Sequence, residues 1–120
     1  MRYIAIEEAF FIAELAERQP MPALPLAFKP ECAKQILPRL TDFTEYRLPE
    51  MDDAGIDIQV LSLTVPGLQV DIEPGLARDN ACFANNYLAQ VISEHPDRFR
   101  GFAALPLQDP GPRPLSWSAR

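Results

Sequence analysis

The chain has 120 residues, 48% of them hydrophobic and 23% charged, the proportions of an ordinary globular domain and far from the pattern of disorder. That length accommodates one modest domain at most. Seventeen acidic against eleven basic residues give a net charge of -6, and with no Lys/Arg run this disfavours nucleic acid or anionic membrane as a partner and leaves a small molecule or another protein.

Residues 2–7, RYIAIE, form a short apolar run that reads as a buried strand ending in the carboxylates Glu7 and Glu8. Residues 10–18 carry a weak helical period. Pro20, Pro22, Pro25 and Pro30 then forbid continuous helix, because each ring fixes φ and removes an N–H donor. Residues 31–40 and 45–54 can each be helical, the second with Leu48, Met51 and Ala54 on one face and Gly55 as its left-handed C-cap. Residues 56–63, IDIQVLSL, are the second strand, and TVPGLQ at 64–69 is the loop leaving its C-terminal end. Residues 76–95 read as one long amphipathic helix, with Leu76, Asn80, Phe83, Tyr87, Val91 and Ile92 on its apolar face. The helix stops at His95-Pro96, since a residue before proline resists the α region. Residues 99–105, FRGFAAL, are the third strand.

Strand, helices, strand, helix, strand is the rhythm of a parallel α/β sheet with right-handed crossovers. Three strands cannot close a barrel, and both sheet edges would be open. No apolar stretch approaches the roughly 20 residues of a membrane span, and MRYIAIEEAF lacks the regions of a signal peptide. A cytoplasmic protein is expected. Cys32 and Cys82 have neither metal-ligand nor CxxC spacing and are expected to be small apolar fillers.

In α/β architectures ligands bind beyond the carboxyl ends of the strands, which nominates Glu7-Glu8, the TVPGLQ loop and Pro106-Leu107-Gln108. A carboxylate there can supply an oxygen ligand to a divalent cation or act as acid or base; equally, an acidic pair can be merely solvated or capping. Gly67 can serve a simple left-handed turn. His95, the one histidine, stands at the far end of the long helix, away from the carboxyl ends.

Taken in order, YIAIEEAF, RLPEMDDAGIDIQVLSLTVPGLQ and HPDRFRGFAALPLQDP resemble the ACMSD-like branch of the amidohydrolase superfamily. Within it they are most similar to the nonoxidative decarboxylases of hydroxylated benzoates: γ-resorcylate, dihydroxybenzoate and 5-carboxyvanillate decarboxylases. The resemblance covers residues 2 to about 110 and implies the N-terminal part of a metal-dependent (β/α)8 TIM-like barrel, about three strands of it. It implies a carboxy-lyase, or a hydrolase, that uses a divalent metal, Zn or Mn, with Glu7 as ligand, and takes a small aromatic carboxylic acid as substrate. Thr64, Pro66 and Gly67 would line the substrate pocket. Ala9 stands where many members have a metal-binding His, as it does in dihydroxybenzoate- and carboxyvanillate-type members. The family's remaining His and Asp residues belong to chain beyond residue 120, so the chain is expected to be inactive alone, or to be an interaction module that needs an oligomer or partner chain to complete the barrel. Residues 1–110 are then the partial barrel. After LPLQDP, where Asp109 and Pro110 would suit a new helix, GPRPLSWSAR at 111–120 breaks the pattern. That tail is expected to be disordered, as in a truncated or frame-shifted product.

Overall fold

A computed structural model describes residues 1–21 and 30–108. The expectations for Pro22 and Pro25, for Asp109 and Pro110, and for the tail at 111–120 lie outside the described residues.

Strands β1 (Ile4–Phe10), β2 (Ile58–Leu63) and β3 (Phe99–Gly101) form one parallel sheet in the order β1-β2-β3. Helices α1 (Ala13–Arg18), α2 (Pro30–Thr41) and α3 (Arg47–Ala54) connect β1 to β2, and α4 (Pro74–Glu94) connects β2 to β3. The α/β class and the parallel order are therefore those expected from the alternation of elements. Phe10, Ile12, Met51, Leu61, Leu88 and Phe99 centre a core between the sheet and the helices. The opposite sheet face and its surroundings leave Ile4 (56%), Ile6 (66%) and Phe102 (54%) exposed.

The helix signals hold locally. Gly55 ends α3 at φ 69, a conformation that suits a residue without Cβ. At the start of α4 the Glu73 carboxylate accepts from the Leu76 amide at 3.1 Å, Pro74 occupies the first turn, and His95 is the C-cap.

Four expectations are corrected. First, β1 runs three residues past Glu7, so this carboxylate lies within the strand and not at its end. Second, the buried face of α4 is Ala77, Asn80, Ala81, Ala84, Leu88 and Val91; Phe83, Tyr87 and Ile92 only flank the core, and Leu76 is exposed. Alanines face the sheet because helix and strand approach closely there: a Cβ on Gly101 would stand 2.5 Å from Leu88 Cδ2. Third, Cys32 and Cys82 are both exposed. Cys82 lies off the alanine face of α4, and α2 buries none of its residues. Fourth, β3 ends at Gly101. Beyond Phe102, whose amide reaches the Leu61 carbonyl, the Asn85 carboxamide takes over as partner of the chain.

Candidate functional site

Glu7 owes its position to a bulge. Ala5 pairs in register with Gln59 and Glu8 with Leu61, so two residues, Ile6 and Glu7, oppose the single Val60. Gln59 contacts the helix α3 residue Arg47, and Leu61 lies in the core. Ala5 and Glu8 thus share the helix-covered face, while Ile6 and Glu7 both turn to the open one. Without the extra residue, alternation would put Glu7 on the same side as Ala5, under the helices. Glu7 has φ 61 and is the one non-glycine residue with positive φ among the described residues. Side chains avoid that region at a cost of about 1–2 kcal/mol. Ala9 pairs with Ser62 and, by the same alternation, also faces the open side.

Glu8 goes the other way. It borders a cleft of about 360 Å³ on the helix side, together with Arg39, Arg47, Glu50 and Gln59. Arg47 is buried there, and its guanidinium donates to the Ala9 carbonyl (2.7 Å), Gln59 Oε1 (3.1 Å), the Asp42 carbonyl (3.2 Å) and the Arg39 carbonyl (3.3 Å). Burial pushes the Arg47 pKa down from its usual value, against the upward pull of Glu8, Asp42 and Glu50. A cation in this position is compensated by carbonyl dipoles and nearby carboxylates.

The TVPGLQ loop leaves the same end of the sheet, with the Thr64 amide bonded to the Phe10 carbonyl at 2.9 Å. It contains a cis Val65–Pro66 bond, and Gly67 adopts φ 53. Gln19 donates to the Gly67 carbonyl at 2.6 Å and accepts from Asn80, which in turn accepts from Arg18, so α1 and α4 together anchor the loop. Gln108 donates to the carbonyls of Leu68 and Val70 from the other side. Thr64 and Gly67 border a small cavity together with Leu15 and Ala16 of α1 and with Gln19, its C-cap. The apolar residue that projects is Val65, 84% exposed, which reasoning from turn residues passes over. Glu7 and the loop residues Thr64, Pro66 and Gly67 are not linked by any hydrogen bond described.

His95 lies at the opposite end of the sheet, its ring edge-on to Phe99 at 5.8 Å and its carbonyl accepting from the Arg98 and Phe99 amides. Its place is the turn into β3. Among the described residues no three His, Cys, Asp or Glu side chains converge. A divalent cation needs several converging ligands with ordered support. Glu7 can supply one oxygen donor; by themselves the described residues do not make a metal centre.

A parallel sheet covered by helices on one side, with a carboxylate raised on the bare side, defines one sector of a β/α barrel. No protein-family model matches the chain. It is 50% identical over 72 residues to the γ-resorcylate decarboxylase of Rhodococcus jostii, a match of 60% of this chain and 22% of the relative. It is 39% identical over 108 residues to the γ-resorcylate decarboxylase of a Rhizobium species, 89% of this chain and 31% of that one. The solved 5-carboxyvanillate decarboxylase of Novosphingobium aromaticivorans, complexed with manganese and 4-hydroxy-3-methoxy-5-nitrobenzoic acid, superposes with a TM-score of 0.78 at 37% identity, covering 91% of this chain and 35% of that one. The chain is thus similar in sequence to hydroxybenzoate decarboxylases, and its three parallel strands with their helices share the fold of part of an amidohydrolase-superfamily barrel. It spans about a third or less of those relatives' length.

Proposed function

We propose that the chain supplies the first sector of a metal-dependent, nonoxidative decarboxylase of hydroxylated aromatic acids, with Glu7 as a metal ligand and the TVPGLQ loop, through Thr64, Pro66 and Gly67, as one wall of the substrate pocket. The observation that carries this reading is the bulge, which turns Glu7 onto the bare face at the expense of a left-handed backbone. Strain of this kind persists where the surrounding structure enforces it, often at functional sites. A bound Zn or Mn ion would supply charge stabilisation and orientation for an aromatic carboxylate. What this chain's own residues contribute is one oxygen donor at Glu7 and an anchored loop. The remaining ligands come from further β/α units, so residues 1–108 do not turn over substrate unaided. Two exposed free thiols suit a reducing, cytoplasmic compartment.

A second reading is favoured by the bare apolar face bearing Ile4, Ile6 and Phe102: a noncatalytic module that docks on a partner completing the barrel. One experiment separates the two. The chain is mixed with a polypeptide comprising the remaining two-thirds of a γ-resorcylate decarboxylase, and loss of 2,6-dihydroxybenzoate is followed with Mn²⁺ present. Turnover in the mixture, absent from either part and abolished by Glu7→Gln, supports the enzymatic reading. A stable complex without turnover favours the second, and turnover undiminished by Glu7→Gln overturns the role given to Glu7.

A further inference from the structure

We propose that Arg47 is the positioning residue that holds Glu7 on the open face of the sheet. The inference rests on the reading of Glu7 as a metal-facing carboxylate and extends it to the helix layer beneath. The bulge displaces the backbone of residues 6 and 7, and the strand must regain its register immediately afterwards for Phe10 to enter the core. Its first carbonyl after Glu8 is that of Ala9, and there Arg47 Nη2 donates at 2.7 Å. The same guanidinium grips β2 through Gln59 Oε1 at 3.1 Å. Gln59 is the register partner of Ala5, the last residue before the bulge. One planar fork therefore ties the strand after the bulge to the strand position facing its start, a two-point clamp that a lysine cannot reproduce.

The base of the clamp is itself fixed. Arg47 opens α3, and its amide donates to Asp42 Oδ2 at 3.1 Å while its guanidinium donates to the Asp42 and Arg39 carbonyls. Phe43 stacks under the guanidinium at 5.6 Å. Glu8, turned to this side by the bulge, adds a compensating charge. The two carboxylates thus divide the work: Glu8 faces the clamp and Glu7 faces the open side.

The test is a nuclear Overhauser measurement on the whole chain. Positive φ brings a residue's own amide proton close to its Hα, so Glu7 should give an intraresidue cross-peak stronger than its strand neighbours. In Arg47→Met, which keeps an apolar stem but no donors, that cross-peak should fall to the level of an extended residue while cross-strand contacts between Gln59 and Phe99 remain. Arg47→Lys should give an intermediate value, and it serves as the reading if the Met variant does not fold. Arg98→Met is the control: Arg98 also ties backbone carbonyls, those of Asp57 and Ile56, at the other end of the sheet, so general loosening would appear there too, whereas loss of the clamp would not. A Glu7 cross-peak at wild-type strength in every folded Arg47 variant, or an equal loss in Arg98→Met, overturns the proposal. Mn²⁺-dependent turnover in the mixture that completes the barrel is read separately, so failure of the metal reading leaves the effect of Arg47 on Glu7 geometry to stand or fall by itself.

Discussion

Asn85 and Ala104 exchange two hydrogen bonds: the Ala104 amide donates to Asn85 Oδ1 at 2.8 Å, and Asn85 Nδ2 donates back to the Ala104 carbonyl at 3.0 Å. A side-chain amide on α4 thus imitates a neighbouring strand where β2 no longer reaches, and it holds the chain leaving β3 against the helix. Asn85→Leu removes both partners from a part-buried backbone and should lower stability by about 1–3 kcal/mol. Urea unfolding checks this; an unchanged midpoint would mean that water replaces both bonds without loss.

Asp42 accepts from the amides of Thr44, Glu45, Tyr46 and Arg47 at 2.8–3.3 Å, and so fixes the turn that leads into α3 and satisfies the first amide of that helix. Burial pushes its pKa up, but the four amide donors together outweigh that and hold it below the usual carboxylate value. A depressed folded pKa gives stability that is full above the unfolded value of about 3.9 and is lost as pH falls through the folded one. Asp42→Ala should therefore destabilise by about 1 kcal/mol near neutrality, with the gap to wild type closing as the solution is acidified below about pH 4. Unfolding midpoints across that range decide it; a gap that widens in acid would contradict the assignment.

Gly101 lies under Leu88, and an added Cβ would meet Leu88 Cδ2 at 2.5 Å and Cγ at 3.0 Å. Leu88 is a core residue at 5% exposure, so it has little room to move. Gly101→Ala should cost about 1–3 kcal/mol through overpacking. In a Leu88→Ala background the same change should cost less, which a double-mutant cycle measures as a coupling between the two sites.

Much of this was legible in the chain itself. Gly55 closing α3, Glu73-Pro74 opening α4 and His95-Pro96 ending it are local signals, and local physics decides them. Two features were not legible. Ile4, Ile6 and Phe10 have the even spacing of one continuous strand face, yet a bulge between Ala5 and Glu8 assigns the isoleucines to the bare side and Phe10 to the core. Glu8 within that stripe was the one hint that the alternation breaks. The clamp at Arg47 was invisible for a different reason: its partners Ala9 and Gln59 lie 38 and 12 residues away, and no spacing rule reports on a carbonyl. Val65 escaped because turn reasoning looks for proline and glycine, while the exposed hydrophobic residue is the one between Thr64 and Pro66.

The left-handed backbone at Glu7 carries its own prediction. Glu7→Gly relieves strain of about 1–2 kcal/mol and adds unfolded-state entropy of about 0.5–1 kcal/mol, so the variant should melt at or above the wild-type temperature. A marked drop in thermal midpoint would mean that the carboxylate contributes to folding and is not held there at the expense of stability.

The central claim is that the bulge presents Glu7 to a divalent cation on the open face, and paramagnetic broadening tests it most directly. Mn²⁺ is titrated into the isotope-labelled chain mixed with an unlabelled polypeptide comprising the remaining two-thirds of a γ-resorcylate decarboxylase, and amide signals of the chain are followed residue by residue. The account predicts that Glu7 and its neighbours Ile6, Glu8 and Ala9 broaden first, and that Glu7→Gln abolishes this local effect. Broadening centred on the acidic residues at the other end of the sheet, such as Asp52, Asp57 and Asp97, with Glu7 unaffected, would contradict it.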